Sequence, residues 1–202
     1  MEKKDKIVSS ESLSRGKLQT YLLYLKCMKT ILLSHHPNCE SFDGHTIKIG
    51  KNTRLCIGCF IGYPVAIIGI VIIYFLNLNE TFDSTFLFAI GMVFLSFFLL
   101  SPLNLTKIKA IKIIQKILIG IGSAFLFWWI WSTPNSYIVN FIYFLMVFGL
   151  LLMLFNAYHI YGFYKACKKC DTSFDWESCP GFQDVSNCFK QYGLENILKS
   201  PK

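Results

Sequence analysis

The stretch 55–76, LCIGCFIGYPVAIIGIVIIYFL, sets the terms for everything around it. It opens on a Cys-x-x-Cys pair, Cys56 and Cys59, and runs on without a charge to Leu76. About 20 apolar residues in helical form cross the ~30 Å hydrocarbon layer of a bilayer, so the run reads as a transmembrane helix with two thiols at its lip. Gly58-x-x-x-Gly62 inside it is a small-xxx-small pattern that lets helices approach closely.

Three further apolar blocks follow, so the expected spans are 59–76, 85–103, 111–131 and 137–163. The last is long and is expected to tilt, or to rest its aromatic end (Tyr158, Tyr161, Phe163, Tyr164) in the interface. With 53% hydrophobic and 16% charged residues over 202 positions, a soluble fold is disfavoured. The fold class is an all-α membrane protein: a four-transmembrane-helix bundle with a small Cys/His-rich cytoplasmic base. The charged start, MEKKDK, has no apolar h-region within reach, so no cleavable signal peptide is expected.

Charge fixes the expected orientation. The loop 77–84, NLNETFDS, has no Lys or Arg, and the loop 132–136, STPNS, has no charge. All 20 Lys and Arg fall on the other side, in the N-terminal segment, the stretch 107–116 and the tail. The positive-inside rule therefore places both termini in the cytoplasm of an integral, multi-pass membrane protein. The net charge of +8 is then a topology signal with attraction to the anionic lipid bilayer. Nucleic acid is not an expected partner, since no basic cluster is interleaved with stacking aromatics.

The same orientation puts all eight cysteines at the cytoplasmic side, where thiols stay reduced and an even count is no sign of disulfides. Residues 1–33 read as a polar tail, disordered over 1–10, followed by a basic amphipathic helix. Its stripe Leu18, Tyr21, Leu22, Leu25, Met28 and Leu32 is expected to lie on the membrane surface or on the bundle base, and Cys27 on it is a plain buried thiol. Residues 34–58 form a His/Cys loop rich in turn residues, with little apolar content to order it. His36, Cys39, His45, Cys56 and Cys59 there give H-x2-C-x5-H-x10-C-x2-C, with His35 an alternative ligand. Residues 164–202 form a Cys-rich tail in which Cys167, Cys170, Cys179 and Cys188 give C-x2-C-x8-C-x8-C around Phe174, Trp176 and Phe182. Segments that short need a metal or staples to hold together.

A Cys-x-x-Cys turn sets two thiolates ~2.3 Å from one Zn²⁺, and two such turns complete a tetrahedron. One arrangement is a single site shared by 56/59 and 167/170. The other has two local sites, His36 or His45 with Cys39, Cys56 and Cys59, and the four tail cysteines; it uses the ligands more fully. Zinc suits mixed Cys/His spacing, ahead of an iron–sulfur cluster. Closed thiolate-rich sites are structural, and no acidic residue is spaced as a base beside the cysteines, so the leading expectation is non-enzymatic. It is a zinc-stabilised scaffold or subunit of a membrane complex, docking a protein partner at its cytoplasmic face. The rival is a membrane thiol-disulfide oxidoreductase linked to quinone, since four-helix enzymes of that kind carry a Cys-x-x-Cys at a helix end and a second Cys pair. No Asp, Glu or Arg stands within the spans, which leaves a charge-lined pump without support.

The run His36-Pro37 … Ser41-Phe42 … Cys56-x-x-Cys59-x-x-Gly62 resembles the signature of an uncharacterised family of small prokaryotic integral membrane proteins. Over these roughly 30 residues the family reads Cys-His, Pro, Ser-Phe, Gly, then Cys-x-Arg-Cys-x-Gly. His35 here stands at the family's Cys and Gly58 at its Arg. The resemblance implies a metal-binding membrane protein and no particular activity.

Overall fold

The structure, a computed structural model, describes residues 16–49, 53–103, 105–170, 172 and 174–198; the tail expected over 1–10 and the turn residues Gly50 and Asn52 lie outside them. In chain order the described elements are α1 (Lys17–Ser34), a 3-10 segment (Glu40–His45), β1 (Thr46–Ile49), β2 (Thr53–Cys56) and a π-helical turn (Gly58–Gly62). These are followed by α2 (Tyr63–Phe75), a helical turn (Leu78–Thr81), α3 (Ser84–Ser96), and 3-10 segments at Phe97–Leu100 and Leu105–Lys107. The chain ends with α4 (Lys109–Trp131), α5 (Tyr137–Cys167), a 3-10 turn (Pro180–Phe182) and α6 (Gln183–Tyr192). The protein is mostly helical, and its two short strands pair as one sheet. It divides into two compact units. A central unit holds residues 44–47 and 55–160; a terminal unit takes the described residues up to 43, 48–54 and from 161 onward. Helix α5 starts in the first and ends in the second.

Three helical stretches are long and apolar enough to cross a membrane: Gly58–Phe75, Lys109–Trp131 and Tyr137–Cys167. Four such spans were expected. The second block, read as 85–103, forms 13 residues of α-helix in α3 and four more of 3-10 helix to Leu100, so it is shorter than the others. The chain turns at 101–103, around Pro102, with Ser101 still in the right-handed α region. Pro64, by contrast, sits in the first turn of α2, where a missing N–H leaves nothing unsatisfied.

The helices are not equal. In α4, 39% of the apolar window is buried, against 6% in each of the other two. So α4 is the axis, and α2 and α5 leave most of their apolar residues exposed or half-buried. Small residues make the closest approaches. A Cβ on Gly120 of α4 would stand 2.7 Å from the Gly62 carbonyl oxygen and 3.0 Å from Val65 Cβ; one on Gly122 would stand 2.9 Å from the Gly91 oxygen of α3. Around this seam Leu95, Ile119 and Leu126 are buried, and Val147, Phe148, Leu151 and Phe155 of α5 cover them. The tryptophans at the end of α4 contribute to helix packing. Trp128 stacks on Tyr74 and donates its Nε1–H to the Ile70 carbonyl at 2.9 Å, and Trp129 lies against Phe88.

Where α3 relaxes into 3-10 geometry, carbonyls lose their α-helical donors. Gln115 of α4, fully buried, supplies them: its Nε2 donates to the oxygens of Phe97 (2.8 Å) and Phe98 (3.3 Å), and Ser101 Oγ pairs with its amide. Asn140, at the start of α5, does the like for the preceding turn through Thr133. Asn156 faces outward rather than between helices.

The terminal unit is built differently. Helix α1 ends at His35 in the left-handed region, and α6 ends at Gly193, whose φ of 62° suits a residue without Cβ. Both bury one face in a shared core of Cys27, Val185 and Phe189, with Tyr24, Met28, Ile31 and Tyr192 around it. The stripe expected to face the membrane or the bundle base, Leu18, Tyr21, Leu22, Leu25 and Leu32, is exposed. The protein-facing stripe is Tyr24, Cys27, Met28 and Ile31, one side round from it, and Met28 alone belongs to both.

Candidate metal centres

The cysteines fall into three groups. The first is a covalent pair. Cys27 of α1 and Cys188 of α6, 161 residues apart in sequence, form a disulfide with Cα atoms 5.5 Å apart. This corrects two expectations: Cys27 is not a plain thiol, and Cys188 is not a metal ligand of the tail. The reading of all eight as reduced came from compartment alone; the packing of α1 on α6 brings these two side chains together irrespective of it.

The second group lies in the central unit. β2 ends at Cys56 and the π-helical turn carries Cys59, and the two thiols hydrogen-bond to each other. The Lys116 side chain reaches the same place: a Cβ on Gly58 would lie 3.7 Å from Cys56 Sγ and 3.9 Å from Lys116 Cε. One turn back along α4, Lys112 Nζ lies 3.4 Å from His45 Nε2. The residues expected to complete this site are divided: His45 belongs with Cys56 and Cys59 to the central unit, while His36 and Cys39 belong to the terminal unit.

The third group lies in the terminal unit. Cys167 closes α5, and Cys170 follows in a turn whose N–H bonds the Cys167 carbonyl at 3.1 Å. Cys179 opens a second turn, closed by Phe182 N–H on the Cys179 oxygen at 3.0 Å. Cys39 opens a third of the same form, with Phe42 N–H on the Cys39 oxygen at 3.2 Å. The second and third are tied directly, Asn38 N–H donating to the Gly181 carbonyl at 2.9 Å, with Asn38 Nδ2 on Asp184 at 3.1 Å. Contact is so close there that a Cβ on Gly181 would meet Pro37 Cβ at 2.6 Å.

A ladder of rings holds these turns. His36 stacks on Phe42 with centroids 4.5 Å apart, Phe42 on Phe163 at 5.5 Å and Phe163 on Trp176 at 5.8 Å; Phe182 meets Trp176 edge-on at 5.2 Å. Buried His36 thus packs within the ladder, its backbone held by Ser34. Partial burial raises the Cys39 thiol above its ordinary value, and the nearby Cys179 and Cys170 add to this; the N–H groups of Ser41 and Phe42, pointing at its sulfur, oppose the rise. Cys167 feels Cys179, Cys39 and Cys170 in the same way.

Of the tail set expected from sequence, Cys167, Cys170 and Cys179 share a unit with Cys39, and Cys188 is withdrawn from the set by the disulfide. The missed signal was the repeated Cys-x-x-Phe at 39–42 and 179–182, two turns of one kind. Comparison with family models, with curated proteins and with solved structures found no match for this chain, so its reading rests on its own residues.

Proposed function

We propose that the chain is a four-pass membrane protein with both termini in the cytoplasm. On this reading the terminal unit is a zinc-stabilised base that serves as a scaffold or subunit and docks a protein partner. The observation that carries the membrane part is the contrast between buried α4 and the outward apolar faces of α2 and α5. That much exposed apolar helix is stable in lipid, where packing rather than water drives helix association. Helix α3 with its 3-10 extension is the fourth, short span, its last carbonyls satisfied by Gln115. The one-sided Lys and Arg distribution supports the orientation. For docking, the support is the exposed stripe of α1 on a unit that has its own core. The Cys27–Cys188 disulfide pulls against a reducing compartment; its burial beside Phe189 shields it. Accessibility reporters at residues 79 and 135 and at both ends test the orientation. Labelling of 79 and 135 from outside, with both ends protected, is expected; the reverse pattern overturns it.

A second reading, a quinone-linked thiol oxidoreductase, has its own support in the hydrogen-bonded Cys56 and Cys59 beside Lys116. The two thiols would close to a disulfide, passing two electrons and two protons to a quinone. Reduced protein mixed with a soluble quinone tests it: stoichiometric quinol with loss of two titratable thiols, abolished by Cys59→Ser, supports the enzyme, and no quinol removes it.

A further inference from the structure

We propose that Cys39, Cys167, Cys170 and Cys179 form one four-thiolate site for zinc, tying the loop before the first apolar helix to the tail after the last. The inference deepens the reading of a metal-stabilised unit by naming its ligands, and it rests on that reading only for the metal's role.

Four observations converge. The disulfide removes Cys27 and Cys188, and Cys56 and Cys59 belong to the central unit, so the terminal unit is left with four thiols, the number a closed tetrahedral zinc site takes. Each of the four opens or closes a turn in which an N–H three residues on returns to a cysteine carbonyl: Cys167 to Cys170, Cys39 to Phe42, Cys179 to Phe182. That turn is the one that lifts backbone N–H groups toward a sulfur, and at Cys39 those of Ser41 and Phe42 do so.

The third observation is that the turns are brought together independently of any ion, by the Asn38–Gly181 bond and by the ring ladder from Phe42 through Phe163 and Trp176 to Phe182. The fourth is the closeness of that contact: a Cβ on Gly181, two residues from Cys179, would meet Pro37 Cβ, two residues from Cys39, at 2.6 Å. The four sulfurs do not stand on one sphere of ~2.3 Å, and rotation about each χ1 is the movement that draws them in. Binding one Zn²⁺ displaces the thiol protons into solvent, up to four per ion, so affinity falls as pH falls. An all-sulfur, closed shell makes the site structural, with no open position for a substrate.

The full-length protein in detergent, grown in zinc-supplemented medium, is measured for metal by mass spectrometry alongside Cys39→Ser, Cys170→Ser, Cys179→His and the double variant Cys56→Ser/Cys59→Ser. The expected result is zinc retained at about one per chain in the Cys56/Cys59 double variant and in Cys179→His, and lost from Cys39→Ser and Cys170→Ser. Cobalt substitution gives a readout independent of yield: the visible spectrum of a four-sulfur tetrahedral site, shifted in Cys179→His toward one nitrogen and three sulfurs. Zinc unaffected by Cys39→Ser, zinc lost only with Cys56 and Cys59, or stoichiometric iron in place of zinc each overturns the proposal. The orientation reporters are read on the same variants. A protein that keeps its topology but holds no metal at these cysteines sinks this proposal alone, whereas a reversed topology with metal in place sinks only the orientation.

Discussion

The central and terminal units solve the problem of cohesion in opposite ways. The central unit is a few long helices around α4, joined where a glycine lets two backbones approach to less than a side chain's width, as at Gly120 against Gly62. The terminal unit has helices α1 and α6, short turns, a disulfide and a ladder of stacked rings. The difference teaches that apolar content is not what limits either. Where lipid is the solvent, an exposed apolar face costs little and contact depends on fit. A small core needs cross-links, and six of the eight cysteines lie in the terminal unit.

The largest expected break in this contrast is the disulfide. Changing Cys27 and Cys188 together to Ser lowers the stability of the terminal unit by about 2–4 kcal/mol, read as faster hydrogen exchange in α1 and α6. Exchange in α2, α3 and α4 stays as it was; a uniform loss across both units would mean they are not separately stabilised. Next comes the glycine seam. Gly120→Ala forces a Cβ toward the Gly62 oxygen and costs about 1–3 kcal/mol by overpacking. Gly149→Ala on α5, with nothing within 4 Å, is neutral or stabilising. Thermal melts in detergent separate the two, and equal effects would refute the seam.

Gln115→Ala strips the bonds from the oxygens of Phe97 and Phe98 and costs about 1–3 kcal/mol, again confined to the central unit in hydrogen exchange. The smallest effect lies in the terminal unit. The Lys48 hydrogen bond, joined by Arg54, holds the Asp43 carboxyl below its usual range. A carboxylate with a lowered folded value stabilises fully above its unfolded value and loses that contribution as pH falls through the folded one. Lys48 and Asp43 are exposed and Arg54 is partly buried, so Asp43→Asn removes only about a few tenths of a kcal/mol at pH 7 and progressively less as pH falls through the folded value; a loss that does not change with pH would show that charge is not its role.

The apolar blocks were legible because unbroken hydropathy over about 20 residues has few other outlets. The shortness of α3 was not, since Pro102 marks a stop and not how far back the α geometry relaxes. For α1, periodicity grouped residues onto a face correctly but could not choose between two neighbouring stripes, Leu18–Tyr21–Leu22–Leu25 and Tyr24–Cys27–Met28–Ile31, both apolar enough to be buried. The choice was made by Val185 and Phe189, more than 150 residues away. The same distance hid the cysteine sorting: spacing links Cys167 to Cys170, while Cys27 with Cys188 and Cys39 with Cys179 are joined only by folding.

Gln115 makes α3 a helix finished by its neighbour. Because a side chain of α4 donates to the oxygens of Phe97 and Phe98, the second apolar stretch stays tied to its neighbour beyond the end of its α geometry. A longer α3 would have to evict that amide, and a leucine at 115 would leave the short one unanswered. Length in one helix and polarity in the next are therefore physically coupled.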